Sequence, residues 1–228
     1  MLFILAILTL AILGMTVFVT SRVIQIEKRS KHGLIHNIKD NIFGSNREGI
    51  AVLDEVLSNG VKISGEFLTP NEYSRPQTPL KDINSIVVHY TANPGSTAIN
   101  NRNYFESLAT KHTTYASSHY IIGLEGEVVQ CIPLNEIAFT SNNRNGDTVS
   151  IECCHEDETG KFNEKTYDTL VSLTAALCIE FDLGEEDIIR HYDVTEKLCP
   201  LYYVKHEDEW FQFRKEVMAK VAEITEKK

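Results

Sequence analysis

Positive charge is in short supply in this 228-residue chain: 22 Lys and Arg stand against 32 Asp and Glu, a formal net charge of −10. Phosphate binding needs clustered Lys and Arg, so this balance argues against a nucleic-acid partner, and none is expected. Cysteine is sparse and irregular. The five residues Cys131, Cys153, Cys154, Cys178 and Cys199 form an odd set with an adjacent pair, which excludes a simple disulfide framework and leaves at least one thiol for other chemistry. The chain also lacks internal repeats, low-complexity tracts and an HExxH metal motif. What remains is ordinary globular composition, 43% hydrophobic and 24% charged. The length fits one domain plus an appendage, at roughly 100–200 residues per domain.

Charge is missing altogether from residues 1–20, MLFILAILTLAILGMTVFVT. About 20 apolar residues, rising roughly 1.5 Å each, cover a hydrocarbon core of about 30 Å. A cleaved signal peptide would want a basic start and a small-x-small cleavage site. No Lys or Arg precedes the run, and Val17 to Ser21 offers no such site, so residues 1–21 are expected to be an uncleaved transmembrane anchor. Arg22, Lys28, Arg29 and Lys31 follow it, which by the positive-inside tendency alone would hold the rest of the chain in the cytoplasm.

Residues 22–65 are expected to be a linker, with a short amphipathic helix over 46–59 ended by Gly60. Residues 61–82 carry Pro70, Pro76 and Pro79 and suit an extended lead-in. From Ile83 the pattern becomes dense. "INSIVVHYTA" reads as a buried strand, residues 100–111 as a helix, "SSHYIIGLEGEVVQCIP" as two strands around Gly126, and "DTVSIECCHE" as a further strand. Residues 165–181 keep helical spacing, with Asn163 as a cap and Gly184 as a stop. "DIIRHY" is a short strand, and an amphipathic helix runs on from Glu207. The order β, α, β, β, β, α, β, α predicts an α/β fold with a mixed central sheet flanked by helices.

His89 ends one strand and His191 ends another, each a polar residue closing an apolar run. Cys199 follows His191 by eight residues, just before Pro200. Two imidazoles and a thiolate leave a fourth position open, the pattern of a catalytic rather than a structural zinc, and the thiolate disfavours magnesium or calcium. The separation of His191 from Cys199 is not helical. It requires a loop that folds back, which Asp193 and Thr195 could help to turn. In "DTVSIECC", period-2 alternation puts Val149, Ile151 and Cys153 on one face and Ser150, Glu152 and Cys154 on the other. A carboxylate in an otherwise apolar strand is costly to bury, so Glu152 is expected at a site or a solvent cleft.

The segments "IVVHYTANPGST", "SSHYIIGLEGEVVQCIPLNEIAF", "DTVSIECCHE", "TGKFNEKTYDTLVSLTAALC" and "DIIRHYDVTEKLCP" together resemble the zinc-dependent N-acetylmuramoyl-L-alanine amidases of the phage lysozyme and peptidoglycan-recognition family, nearest to autolysins and prophage endolysins. The resemblance covers roughly residues 66–215. It implies a zinc amidase catalytic domain over 66–228, with Zn2+ held by His89, His191 and Cys199. Glu152 is then the general base and Lys197, two residues before the third ligand, the group that stabilises the oxyanion. It further implies hydrolysis of the amide between N-acetylmuramic acid and L-alanine, with peptidoglycan or muropeptides as partner. One position departs: where some members place an assisting Tyr, this chain has Ser118, and that role is not carried over. The neighbouring His119 either lines the substrate groove or supports its strand, and it stands in the candidate set as substrate-binding. Cys131, Cys153, Cys154 and Cys178 are expected to pack as small buried hydrophobes.

A non-catalytic peptidoglycan-binding module and an intracellular muropeptide-recycling amidase are the alternatives. Because polymeric peptidoglycan lies outside the membrane, the expected placement is membrane-anchored with the catalytic domain on the wall side, as a monomer.

Overall fold

The computed structural model describes residues 57–226. The expected anchor, the start of the linker and most of the expected helix over 46–59 lie outside them. The last residues of that helix, Ser58 and Asn59, form a turn that Gly60 closes at φ +84°, its N–H donating to Leu57 O at 2.9 Å. Among the described residues no helix is long and apolar enough to cross a membrane.

Six strands form one mixed sheet: β1 (Ile63–Gly65), β2 (Ser85–Tyr90), β3 (Tyr120–Ile122), β4 (Val128–Gln130), β5 (Thr148–Cys153) and β6 (Ile188–Arg190). Their spatial order is β1-β4-β3-β5-β2-β6. Only the β3–β4 hairpin is antiparallel; the other neighbours run parallel. The hairpin turns through Gly126 at φ +80°, where an added Cβ would meet Lys165 O at 3.0 Å and Thr169 Oγ1 at 2.9 Å. Glycine is required there both by the backbone and by the helix beneath it.

The helices are α1 (Ala98–Lys111), α2 (Glu164–Phe181), α3 (His191–Thr195), α4 (Leu201–Lys205) and α5 (Glu207–Glu226). Thr97 caps α1 through a reciprocal pair with Asn100. Asn163 caps α2 by accepting from the Thr166 N–H at 2.9 Å, as its sequence position suggests. The stop of α2 falls elsewhere than expected. Asp182 takes the left-handed conformation at φ +53°, and Gly184 lies beyond it at φ −102°. Asp is one of the few non-glycine residues that accepts this conformation at small cost.

β1 lies inside the stretch expected to be linker, and Leu57 and Ile63 are buried in the core. The compact fold therefore begins before residue 66. The main core fills the space between the sheet and α2 and α5, with Ile86, Val88, Val149, Ile151, Leu170, Leu173, Phe213 and Val217 fully or nearly fully buried. Each such side chain contributes about 1.5–3 kcal/mol on burial. A smaller cluster on the opposite face packs Ile121, Val129, Cys131 and Cys154 under Phe105 and Ala98 of α1. That second face is covered by α1 only in part, and the remainder opens as a cleft.

Candidate metal centre and cleft

β2 and β5 pair in parallel with His89 opposite Glu152. Residues in register on neighbouring strands project to the same face. Since Ile86, Val88, Val149, Ile151 and Cys153 fill the main core, His89 and Glu152 face away from it. β6 pairs with β2 as far as Val88↔Arg190, and His191 follows at once, opening α3. The two histidines thus emerge side by side at the carboxyl ends of parallel strands, where open α/β sheets bind their ligands. Their ring centroids lie 4.7 Å apart, tilted by 60°.

The chain beyond His191 folds back. α3 is five residues long and ends at Glu196 with φ +63°. The Tyr192 N–H then donates to Cys199 O at 2.9 Å, and the Cys199 N–H to Lys197 O at 2.7 Å. Asp193 helps to make this turn, accepting from the Arg190 N–H at 2.8 Å and from the Arg190 guanidinium at 2.8 Å. Thr195 Oγ1 donates to His191 O at 3.4 Å. The buried Arg190 also reaches Tyr203 O at 3.0 Å and stacks 5.5 Å from the centre of the Trp210 ring, which fixes the turn to α4 and α5. As a result Cys199 Sγ sits 3.7 Å from His89 Nδ1.

The ligand atoms of His89, His191 and Cys199 all lie within 4.8 Å of one another, and all three residues are buried. Burial holds His89 well below its ordinary value, with His191 adding to the effect, and brings His191 down to about 4. Both imidazoles are therefore neutral at pH 7, each with one lone pair to offer a cation. His191 Nδ1 is buried and takes no hydrogen bond among the described residues. Burial, followed by the Glu152 carboxyl, pushes the Cys199 thiol up to about 12. A dication reverses this by taking the thiolate directly. Two neutral nitrogens, one thiol and an orphaned buried lone pair fit a zinc ion, so the donor set agrees with what the resemblance implies.

Glu152 lies on the cleft wall beside this cluster, with its Oε2 buried and without a hydrogen-bond partner among the described residues. Burial raises its carboxyl to about 8, and the Lys197 charge works against that rise. Lys197 is an exposed residue that also lines the cleft. The cleft has a volume of about 360 Å³, and its far wall is aromatic, made by Phe105, Tyr115 and Phe139.

His119 does not line this cleft. Its Nδ1 takes the Ser150 N–H at 3.1 Å and its Nε2 pairs with Glu136 O at 3.0 Å. An imidazole with both nitrogens engaged inside the protein braces β5 against the loop after β4, the supporting alternative rather than groove lining. Ser118 is fully buried, its hydroxyl bonding to Tyr120 O at 3.0 Å and Ser150 O at 3.1 Å, so it does not reach the cleft either. The other four cysteines are free thiols buried in the two cores.

Three further groups of the site carry no motif. Ser141 and Asn142 stand behind the two histidines, Ser141 Oγ at 3.4 Å from His89 Nε2 and Asn142 Oδ1 at 3.0 Å from His191 Nε2. Tyr115, 59% exposed, stacks on Tyr73 with centroids 5.0 Å apart and meets Phe139 edge-on at 5.6 Å. For Ser141 and Asn142 the signal in the sequence is the polar run "TSNNRNGD" ahead of β5, which reads as an ordinary loop.

A family model described as N-acetylmuramoyl-L-alanine amidase matches residues 79–201, a span from just before β2 to just past Cys199. A probable N-acetylmuramoyl-L-alanine amidase of Bacillus licheniformis is 36% identical over 169 residues, covering 69% of this chain and 47% of the relative. A second from the same organism, the N-acetylmuramoyl-L-alanine amidase CwlL, is 35% identical over 170 residues, with the same two coverages of 69% and 47%. The chain therefore spans about half the length of the curated relatives it matches, at 47% of each. The solved catalytic domain of XlyA superposes with a TM-score of 0.59 at 24% identity, covering 69% of this chain and 99% of that domain, and shows the same fold. With the family model spanning β2 to Cys199 and the relatives matching around it, the chain belongs to the N-acetylmuramoyl-L-alanine amidase family, of the phage lysozyme-like type.

Proposed function

We propose that this chain is a zinc-dependent amidase that hydrolyses the bond between the lactyl group of N-acetylmuramic acid and L-alanine in bacterial peptidoglycan. The observation that carries this reading is the convergence of the His89, His191 and Cys199 ligand atoms within 4.8 Å, beside a carboxylate held in register with the first of them. When bound, zinc supplies the Lewis acidity that polarises an otherwise unreactive amide carbonyl. The remaining work falls to this chain's own side chains. Glu152 takes a proton from the attacking water as the new C–O bond forms, and delivers it to the amide nitrogen as the C–N bond breaks. The products are a free lactyl carboxyl and a free L-alanine amine, so the proton balance closes. Lys197 places a positive charge at the cleft, where the oxyanion develops. The aromatic side chains of Phe105, Tyr115 and Phe139 offer apolar surface to the substrate.

The membrane-anchored placement, with the catalytic domain on the wall side as a monomer, is part of the same proposal. It is supported by the uncharged run over residues 1–20 and by the location of polymeric substrate. Protease treatment of intact protoplasts should remove the C-terminal domain; protection would reverse the orientation and favour the muropeptide-recycling role. Sedimentation of the purified chain should give the mass of one copy. For the activity, purified peptidoglycan digested by the zinc-loaded chain should yield stem peptides with a new N-terminal L-alanine, read by mass spectrometry. Tight binding with every amide intact would identify a binding module instead.

A further inference from the structure

One loop holds both candidate imidazole ligands from behind. Asn142 Oδ1 lies 3.0 Å from His191 Nε2 and Ser141 Oγ lies 3.4 Å from His89 Nε2. A carboxamide oxygen only accepts, so His191 carries its proton on Nε2 and keeps Nδ1 as a lone pair. That Nδ1 is buried and unpartnered among the described residues, an orphan that calls for a ligand. His89 turns its Nδ1 edge toward Cys199 Sγ at 3.7 Å. The rings come from β2 and from the first residue of α3, yet the groups behind them are neighbours in sequence. A single peptide unit therefore sets the orientation of two side chains that arrive from distant parts of the chain.

The loop is itself fixed. Asn145 Oδ1 accepts from the N–H groups of Thr140 at 3.1 Å and Ser141 at 2.6 Å. The Arg144 guanidinium reaches Asp147 at 2.8 Å and Ser85 Oγ at 3.0 Å, tying the loop to the start of β2. Asn142 holds φ +53°, a conformation that Asn tolerates better than most residues. Ser141 is 1% exposed, so no solvent competes for its hydroxyl.

We infer that Ser141 and Asn142 are positioning residues of the metal centre. Asn142 holds His191 in the Nε2–H tautomer, Ser141 supports the His89 ring at its Nε2 edge, and both Nδ1 atoms are left to face a divalent cation. The inference rests on the reading of His89, His191 and Cys199 as ligands. Partners of this kind raise the basicity of the ligand and remove the orientational freedom that binding would otherwise have to freeze.

The test measures zinc affinity of the full chain by competition with a chromogenic chelator. Asn142→Gly removes the acceptor while accommodating the positive φ, so it isolates the hydrogen bond from backbone strain. Its affinity should fall by about 10–100-fold, whereas Asn142→Asp, which restores an acceptor, should stay within about threefold of the parent. Ser141→Ala should lose less, because a 3.4 Å contact is long. An Asn142→Gly protein that binds zinc like the parent overturns the inference. A parent that binds zinc no better than His191→Ala overturns the metal reading itself. Should Asn142→Gly melt early without metal, Asn142→Asp against Asn142→Leu decides: unequal affinities support the inference and equal ones overturn it.

Discussion

His89 and Glu152 face each other across one rung of the parallel β2–β5 ladder. The proposed ligand and the proposed base are thus spaced by the sheet itself, about 4.8 Å from strand to strand, and not by the packing of loops. Substitution of either should leave the other in place.

Glu152→Gln keeps the shape of the side chain and removes its ability to take a proton. Zinc content by metal analysis should stay at the parental level, while turnover of purified cell wall falls by about 10²–10⁴-fold. Parental turnover by this variant would remove Glu152 from the mechanism.

Cys199→Ser replaces the soft donor with a hydroxyl that seldom ionises. Zinc affinity should drop while the fold persists, because the Cys199 backbone hydrogen bonds to Tyr192 and Lys197 do not involve the sulfur. A variant that still retains one zinc per chain through dialysis against a weak chelator would sink the ligand assignment.

Lys197→Gln should reduce kcat by about 10²–10³-fold, the usual effect of losing one group that stabilises an oxyanion. It should also move the acid limb of the pH–rate profile. The Lys197 charge holds the Glu152 carboxyl below where burial alone would put it. Without that charge the carboxylate forms only at higher pH, so the limb shifts upward. An unmoved or lowered limb would separate Lys197 from Glu152.

His119 makes an acid-sensitive brace. Burial lowers it from an ordinary 6.5 to about 4. Above pH 6.5 it is neutral in both folded and unfolded chains, and its contribution to stability is complete. As pH falls from 6.5 toward 4, only the unfolded chain takes up the proton, and roughly 3 kcal/mol is lost. His119→Gln keeps one acceptor and one donor but cannot titrate. Urea unfolding at pH 7 and pH 4.5 should show a smaller loss for the variant than for the parent. Equal losses would assign the acid sensitivity to other groups.

The long elements were legible in the sequence because their periods repeat enough times to be read. α2 and α5 keep helical spacing, β2 reads as a continuous apolar run and is buried on both faces, and in β5 alternation put Glu152 on the face opposite Ile151 and Cys153. β1, α3 and α4 are three to five residues long, too short for any period to emerge. β1 is held by its pairing with β4, which is tertiary in origin, and α3 is opened by the Arg190–Asp193 contact, a local pair three residues apart that leaves no periodic signal. The fold-back to Cys199 was inferable as a need but not as a conformation. Ser141 and Asn142 were invisible for a different reason: their role is to stand behind two other side chains, and nothing in a polar loop records what lies across from it. His119 was left between two roles because a histidine just ahead of an apolar strand looks the same in sequence whether it meets a ligand or a neighbouring backbone.

His89 and Cys199 are 110 residues apart in the chain, yet their side chains almost touch. Joining them through a shared ion would staple the second strand of the sheet to the loop near its last edge, closing most of the domain into a ring. Loop closure of that size restricts the unfolded chain much as a crosslink does. A chelator would then act on this protein as a mild denaturant, and zinc supply would set its melting temperature and its lifetime among proteases as well as its rate.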